Sequence, residues 1–178
     1  MRMHILGASG SGTTTLGRRL AGDLGCRHFD TDDSFWQPTD PPYQTPRPRE
    51  ERQRRLGESL HGNPDWVLSG SLCGWGDIFI PLFELVVFLL VPTAERVRRV
   101  RLREIERYGA AVAPGGALHD KHVAFVAWVA RYDAASATER SRALHEEWLA
   151  KMPCPVLRLD GVRPVEIAVA AIGETLRR

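Results

Sequence analysis

Gly7-Ala8-Ser9-Gly10-Ser11-Gly12-Thr13-Thr14 come within one residue of the phosphate-binding pattern G-x-x-x-x-G-K-S/T. Gly7, Gly12 and Thr14 hold their places, and Thr13 stands where the lysine belongs. Glycines at these positions let successive backbone N–H groups point at one anion, so most of the binding comes from the main chain. A helix beginning at the threonines adds its N-terminal partial charge and its unpaired N–H groups. The residues expected to hold nucleotide phosphates are therefore Gly7, Ser9, Gly10, Ser11, Gly12, Thr13, Thr14 and Thr15. Thr14 offers a hydroxyl suited to magnesium, a hard cation that shares its coordination sphere with substrate phosphates. The missing lysine is a point charge that normally holds the β- and γ-phosphates, and phosphoryl transfer depends on such charge. Either an arginine elsewhere restores it, or the chain holds nucleotide without turning it over well.

Two further groups of residues carry chemical possibilities. Asp30 and Asp32 lie two apart, so on an extended chain their carboxylates point the same way. Such a pair can orient a hydroxyl and take its proton, a service that an acceptor already ionised as a phosphate does not need. The competing role is local, because Asp32, Asp33 or Ser34 could cap a following helix. Further along, Arg96, Arg99, Arg103 and Arg107 recur at spacings of three, four and four, which puts them on one face of a helix. That face is either a phosphate-facing stripe or a solvated charged surface. Arg131 and Arg140 are further candidate lid arginines, in helices that offer no firm register.

The elements that must position these residues alternate between strand and helix, the signature of βαβ units around a parallel sheet. Arg2–Leu6 is the first strand, and Leu16, Leu20 and Leu24 give a helix stopped by Gly25. Cys26–Asp30, Trp66–Gly70, Leu85–Val91 and Val156–Leu159 supply four more strands. Leu85–Val91 is apolar without interruption, as expected of a strand covered on both faces. Helices are expected over Arg49–His61, from Thr93 to Tyr108, around His119–Tyr132 and Thr138–Leu149, and over Pro164–Leu176. Gly109–Gly116 breaks the pattern and suits a short lid.

Composition narrows the class without naming it. At 178 residues the chain is one domain of ordinary size. A formal net charge of +2 is too small to argue for a nucleic-acid partner. Lysine is confined to Lys121 and Lys151, whereas arginine is abundant. Cys26, Cys73 and Cys154 are well separated and form neither a disulfide framework nor a zinc pattern. With no leader-like start and no apolar run long enough to span a bilayer, the expected location is cytoplasmic, without membrane contact.

Two more segments carry a family resemblance. Val91-Pro92 is followed by Arg99 and Arg103, and Leu159-Asp160-Gly161-Val162-Arg163-Pro164-Val165 ends the last strand in the form D-G-x-x-P-V. With the loop, these make the chain from about Ile5 to Ile172 resemble the adenylate-kinase-like P-loop kinases, the group of nucleoside monophosphate, shikimate and gluconate kinases. The resemblance implies an α/β fold of three layers, α/β/α, with a five-stranded parallel sheet, helices on both faces and a small lid. It implies one domain over 1–178, with an acceptor-binding segment at about 31–62 and the lid at about 104–118. The implied cofactors are ATP and magnesium. Arg99 and Arg103 would close over the transferring phosphate, and Gly161 and Arg163 would lie beside the adenine. By likeness to the D-x-D of shikimate kinases, Asp30 would serve with Thr14 in the magnesium shell and Asp32 would approach the acceptor. Asp33, Trp36, Ser69 and Gly70 complete the implied acceptor site. Trp36 replaces one phosphate-gripping arginine of the monophosphate kinases, and Ser69-Gly70-Ser71-Leu72-Cys73 replaces the segment that carries the other.

The expected function is an ATP- and magnesium-dependent phosphotransferase acting on a small molecule, a hydroxyl metabolite favoured slightly. The alternatives are a nucleoside monophosphate kinase with a rebuilt acceptor site, its arginines drawn from Arg47, Arg49 or Arg52, and a nucleotide-binding regulatory protein with weak catalysis. Trp36, Tyr43 and Trp75 are candidate walls of an acceptor pocket, and His119, His122 and His145 receive no role.

Overall fold

A computed structural model describes residues 1–177. Its five strands are β1 Arg2–Gly7, β2 Arg27–Asp30, β3 Trp66–Ser69, β4 Leu85–Leu90 and β5 Val156–Asp160. They form one sheet in the order β2-β3-β1-β4-β5, and every pairing is parallel. Strand β1 is central, with the chain crossing to β3 on one side and β4 on the other. Ligands in such sheets bind at the carboxyl ends of the strands where the order switches, and the loop after β1 opens there.

Helices cover both faces. They are α1 Thr13–Leu24, α2 Thr31–Phe35, α3 Arg49–Leu60, α4 Thr93–Tyr108, α5 His119–Arg131, α6 Arg142–Leu149 and α7 Val165–Leu176. Met3, Ile5, Val67 and Val87 pack beneath Leu16 and Leu20 of α1 and Ile172 of α7. Leu6, Leu68 and Phe88 point the other way, against Leu56 of α3, Phe79 and Trp148 of α6. Each of these side chains contributes about 1.5–3 kcal/mol by leaving water. The three layers thus follow from strands that are apolar on both faces.

Local chemistry departs from three sequence expectations. The strand carrying the aspartates stops at Asp30, whose side chain accepts the Asp32 N–H and caps α2. Asp30 and Asp32 are therefore a cap and a first-turn residue, rather than two positions on one extended face. The helix expected from Thr138 begins at Arg142, because Ser141 caps it by accepting the Leu144 N–H at 3.0 Å. Trp75, a candidate pocket wall, lies in the core at 3% exposure.

The core also holds two histidines. His4 donates from Nδ1 to the Leu68 carbonyl at 3.2 Å and stacks on Phe83. His145 contacts the Tyr132 hydroxyl through Nδ1 at 2.7 Å and Ser71 Oγ through Nε2 at 3.2 Å. Burial pushes each down from 6.5 to about 3, with the nearby Arg140 charge adding to the effect at His145. The unfolded chain therefore takes up these protons first, so stability falls as pH drops below 6.5 and keeps falling until about 3. Urea unfolding at pH 7 and pH 5 should differ by roughly 3–4 kcal/mol from the pair together. His4→Phe should remove about half of that difference, and an unchanged profile in this variant would exclude His4 as the source.

Candidate functional site

The phosphate loop is built by close backbone approaches. Gly10 and Gly12 sit at φ 85° and 93°, where a side chain is strained. A Cβ on Gly10 would stand 2.7 Å from the Arg96 carbonyl oxygen, so the loop lies directly on the first turn of α4. A Cβ on Gly161 would stand 3.0 Å from the Ser11 carbonyl oxygen, so the turn after β5 closes the other side. Arg99 fastens the two together, donating from Nη1 to the Gly161 carbonyl at 3.0 Å and, more weakly, to the Gly10 carbonyl at 3.5 Å. Its Nε is held by Glu95 at 2.7 Å. Behind the loop, Gly12 caps α1, whose first turn contains no acidic residue to compete for an anion.

In front of the loop, one carboxylate gathers three donors. Thr14 Oγ1 donates to Asp30 Oδ2 at 2.7 Å, Ser69 Oγ donates to the same oxygen at 3.2 Å, and the Asp32 N–H donates to Oδ1 at 3.1 Å. His28 Nε2 lies 2.9 Å from Ser69 Oγ. With the serine proton committed to Asp30, the imidazole presents its N–H to the serine. Gly17 makes this possible, since a Cβ there would meet His28 Nε2 at 2.7 Å. A relay from His28 through Ser69 and Asp30 thus ends on Thr14, at the mouth of the loop.

This oxygen set fits magnesium. Thr14 and Asp30 offer a hydroxyl and a carboxylate beside an anion-binding loop, and magnesium keeps water and phosphate oxygens as its remaining ligands. Among the described residues no cluster of three or more His, Cys, Asp or Glu side chains surrounds a metal position. Thr14 and Asp30 are the two side chains that would hold such an ion.

Asp32 stands in the first turn of α2 on the open side of the cleft. The cleft walls and, next, the charge of Asp30 raise its pKa above the ordinary carboxylate value, against the opposing pull of Arg140 and Arg103. Asp33 is raised for the same two reasons, burial first and Asp30 second. A carboxylate raised above its ordinary value holds a proton more readily than a free one.

The other expected residues scatter more widely. Thr15 is exposed and Ser9 half-buried on the loop. Ser11 is buried, and its hydroxyl has no partner among the described residues. Gly70, at φ 112°, lies so close to Thr31 that a side chain would strike it. Trp36 packs edge-on against Phe35 and Tyr43 at the edge of the acceptor segment. Arg103 is exposed on α4, and Arg163 is exposed beside Asp160 at 3.7 Å.

The four-arginine stripe divides. Arg96 is 1% exposed and spends its donors on the Val91 and Val129 carbonyls, Thr93 and Asp133. Arg107 covers the Tyr43 ring at 4.7 Å. That contact joins the Tyr108 hydroxyl on the Pro42 carbonyl and Lys121 on Gln44, so the segment at 104–118 and the helix after it meet the acceptor segment.

Two residues that the sequence pattern did not place lie beside the candidate site. Arg140, 133 residues beyond the loop, donates from Nη2 to the Gly7 carbonyl at 3.3 Å. His145 joins Tyr132 to Ser71, next to the Ser69-Gly70 corner. Neither has a local motif, and only the docking of α5 on α4 and of α6 against the sheet brings them here. Among the described residues no helix is long and apolar enough to cross a membrane.

Comparison with known proteins bears on the family and the fold. The family described as an AAA domain matches residues 4–112. A Bacillus subtilis (strain 168) protein described as "Uncharacterized protein YqaC" is 44% identical over 158 residues, covering 89% of this chain and 87% of its own. Among solved structures, deoxyadenosine kinase from M. mycoides with bound dATP superposes with a TM-score of 0.59 at 13% identity, over 100% of both chains. Shikimate kinase from Bacteroides thetaiotaomicron gives 0.57 at 17% identity, over 100% of this chain and 99% of its own. At such identities the likeness is one of fold, and it is the α/β/α fold with a five-stranded parallel sheet described above.

Proposed function

This chain belongs to the AAA-domain family and carries the fold of the adenylate-kinase-like P-loop kinases, and on that premise we propose that it moves the γ-phosphoryl group of ATP to a hydroxyl on a small molecule. The observation that carries the reading is the Thr14–Asp30 hydrogen bond at the mouth of the loop, with Asp32 one turn away on the cleft side. The loop backbone binds the phosphates, and the Arg99 clamp holds the loop against the turn at Gly161, where the base would lie. Thr14 and Asp30 are the residues that would hold magnesium, which when bound neutralises charge on the phosphate oxygens. Asp32 takes the acceptor's proton as the acceptor oxygen bonds to the γ-phosphorus. The bond from that phosphorus to the bridging oxygen breaks, and ADP leaves.

A hydroxyl acceptor is favoured because Arg47, Arg52 and Arg54 of the acceptor segment are committed elsewhere. Arg47 is buried and paired with Glu51 at 3.0 Å, leaving one nitrogen free among the described residues. Arg52 lies 3.8 Å above the Phe35 ring with Nε on the Arg47 carbonyl, and Arg54 is held by Glu58. A phosphate acceptor needs a cationic grip that these contacts would have to break.

The test is ADP release from Mg·ATP with hydroxyl metabolites and nucleoside monophosphates offered separately. Stimulation by a hydroxyl compound alone is the expected outcome. Stimulation by one monophosphate would overturn the hydroxyl preference, and tight Mg·ATP binding without acceptor-dependent release would favour a regulatory nucleotide-binding protein.

A further inference from the structure

The loop lacks the cation that its pattern calls for, because Thr13 occupies the lysine position. Two guanidinium groups bond the loop. Arg99 is largely committed, since Glu95 holds its Nε and the Gly161 and, more weakly, Gly10 carbonyls occupy Nη1. Arg140 is different. Its single hydrogen bond is from Nη2 to the carbonyl of Gly7, the residue that opens the loop. Its Nε is buried without a partner among the described residues, and none of their carboxylates lies within ion-pair distance. Trp128 stands 5.7 Å away against its face.

The turn that carries Arg140 is fixed on both sides. The Arg142 N–H donates to the Tyr132 carbonyl at 3.0 Å, and Ser141 Oγ donates to the Ser136 carbonyl at 2.8 Å while capping α6. A cation held this firmly, with its Nε–H buried and unanswered, is a site suited to one anion. Among the described carboxylates, Asp32 and, less strongly, Asp30 are those whose charge acts on it.

We infer that Arg140 supplies, from elsewhere in the same chain, the charge that the loop lost at Thr13, gripping the terminal phosphates of a nucleoside triphosphate from the α5–α6 turn. A lysine at the start of α1 would reach those phosphates as a point charge on a flexible stem. Arg140 meets them as a planar fork anchored on the Gly7 carbonyl. Discrimination between triphosphate and monophosphate then depends on Arg140, while recognition of the base and ribose does not. This inference rests on the phosphotransferase reading only in requiring that the loop bind a nucleoside triphosphate.

The experiment is a double-mutant cycle on the full chain, with calorimetric affinities for Mg·ATP and for AMP and a thermal melt for each variant. Arg140→Ala should weaken Mg·ATP by roughly tenfold to a hundredfold and change AMP by less than about threefold. Thr13→Lys in the Arg140→Ala background should recover about tenfold or more, yet add little to the wild type. An equal loss for ATP and AMP, or the same gain from Thr13→Lys in both backgrounds, overturns the inference while leaving the phosphotransferase reading intact. Wild-type protein that fails to bind Mg·ATP overturns both. If Arg140→Ala does not fold, Arg140→Gln removes the charge with less loss of packing and carries the same comparison.

Discussion

Asp30→Asn lowers acceptor-dependent phosphoryl transfer by roughly 10²–10⁴-fold while changing stability by less than about 1 kcal/mol. The two effects separate because Asp30 has two jobs on different oxygens. Oδ1 caps α2 by accepting the Asp32 N–H, and an asparagine oxygen does this equally well. Oδ2 accepts from both Thr14 and Ser69, and this oxygen becomes an NH2 group if the cap is kept. Donor would then face donor at Thr14, and the negative charge beside the loop would be gone. The hydroxyl must turn away from where magnesium is expected, and Ser69 loses its acceptor as well. ADP release with acceptor, set beside a thermal melt, measures both parts. A variant that keeps transfer within fivefold of wild type takes Asp30 out of the chemistry, and the proposed reaction loses its central residue.

The phosphate loop and the sheet were legible in the sequence because both are local. Glycine spacing fixes backbone geometry within eight residues, and uninterrupted apolar runs such as Leu85–Leu90 admit few readings other than a buried strand. The aspartates were half legible. Their proximity to the loop followed from the end of β2, but the extended i, i+2 face did not form. Asp30 gains more by capping α2 than by continuing the strand. The arginine stripe shows the limit most clearly. Helical spacing puts Arg96 and Arg99 on neighbouring turns of one face, yet spacing cannot say what packs there. The carbonyl of Val129 in α5, 33 residues on, draws Arg96 into the interior, while the Gly161 carbonyl draws Arg99 over the loop. Arg140 and His145 lay beyond any local pattern, since only the docking of α5 and α6 gives them neighbours.

Arg96→Ala destabilises the fold by about 3–5 kcal/mol, the cost typical of removing one partner from a buried ionic network. The guanidinium is 1% exposed and satisfies the Val91 carbonyl through Nε at 2.9 Å and the Val129 carbonyl through Nη1 at 2.9 Å. Its Nη2 reaches Thr93 Oγ1 at 2.9 Å and Asp133 at 2.5 Å, and its face covers the Tyr132 ring at 4.8 Å. Alanine leaves two buried carbonyls and a carboxylate unanswered around a cavity. The melting temperature should fall by roughly 8–15 °C for a chain of this size. Lysine does not rescue it, because three donors on one nitrogen cannot span acceptors on α4's approach, α5 and the turn after it. Methionine restores volume but no donors, so its loss should lie between wild type and alanine. Nucleotide affinity should fall in step, because Arg96 ties the end of β4 to the Tyr132–Asp133 turn, and its own backbone is the seat of Gly10. An Arg96→Ala protein that melts within 3 °C of wild type would show that these carbonyls find other partners or water. The α4–α5 junction would then be a loosely held surface, unable to fix the turn that carries Arg140 over the loop.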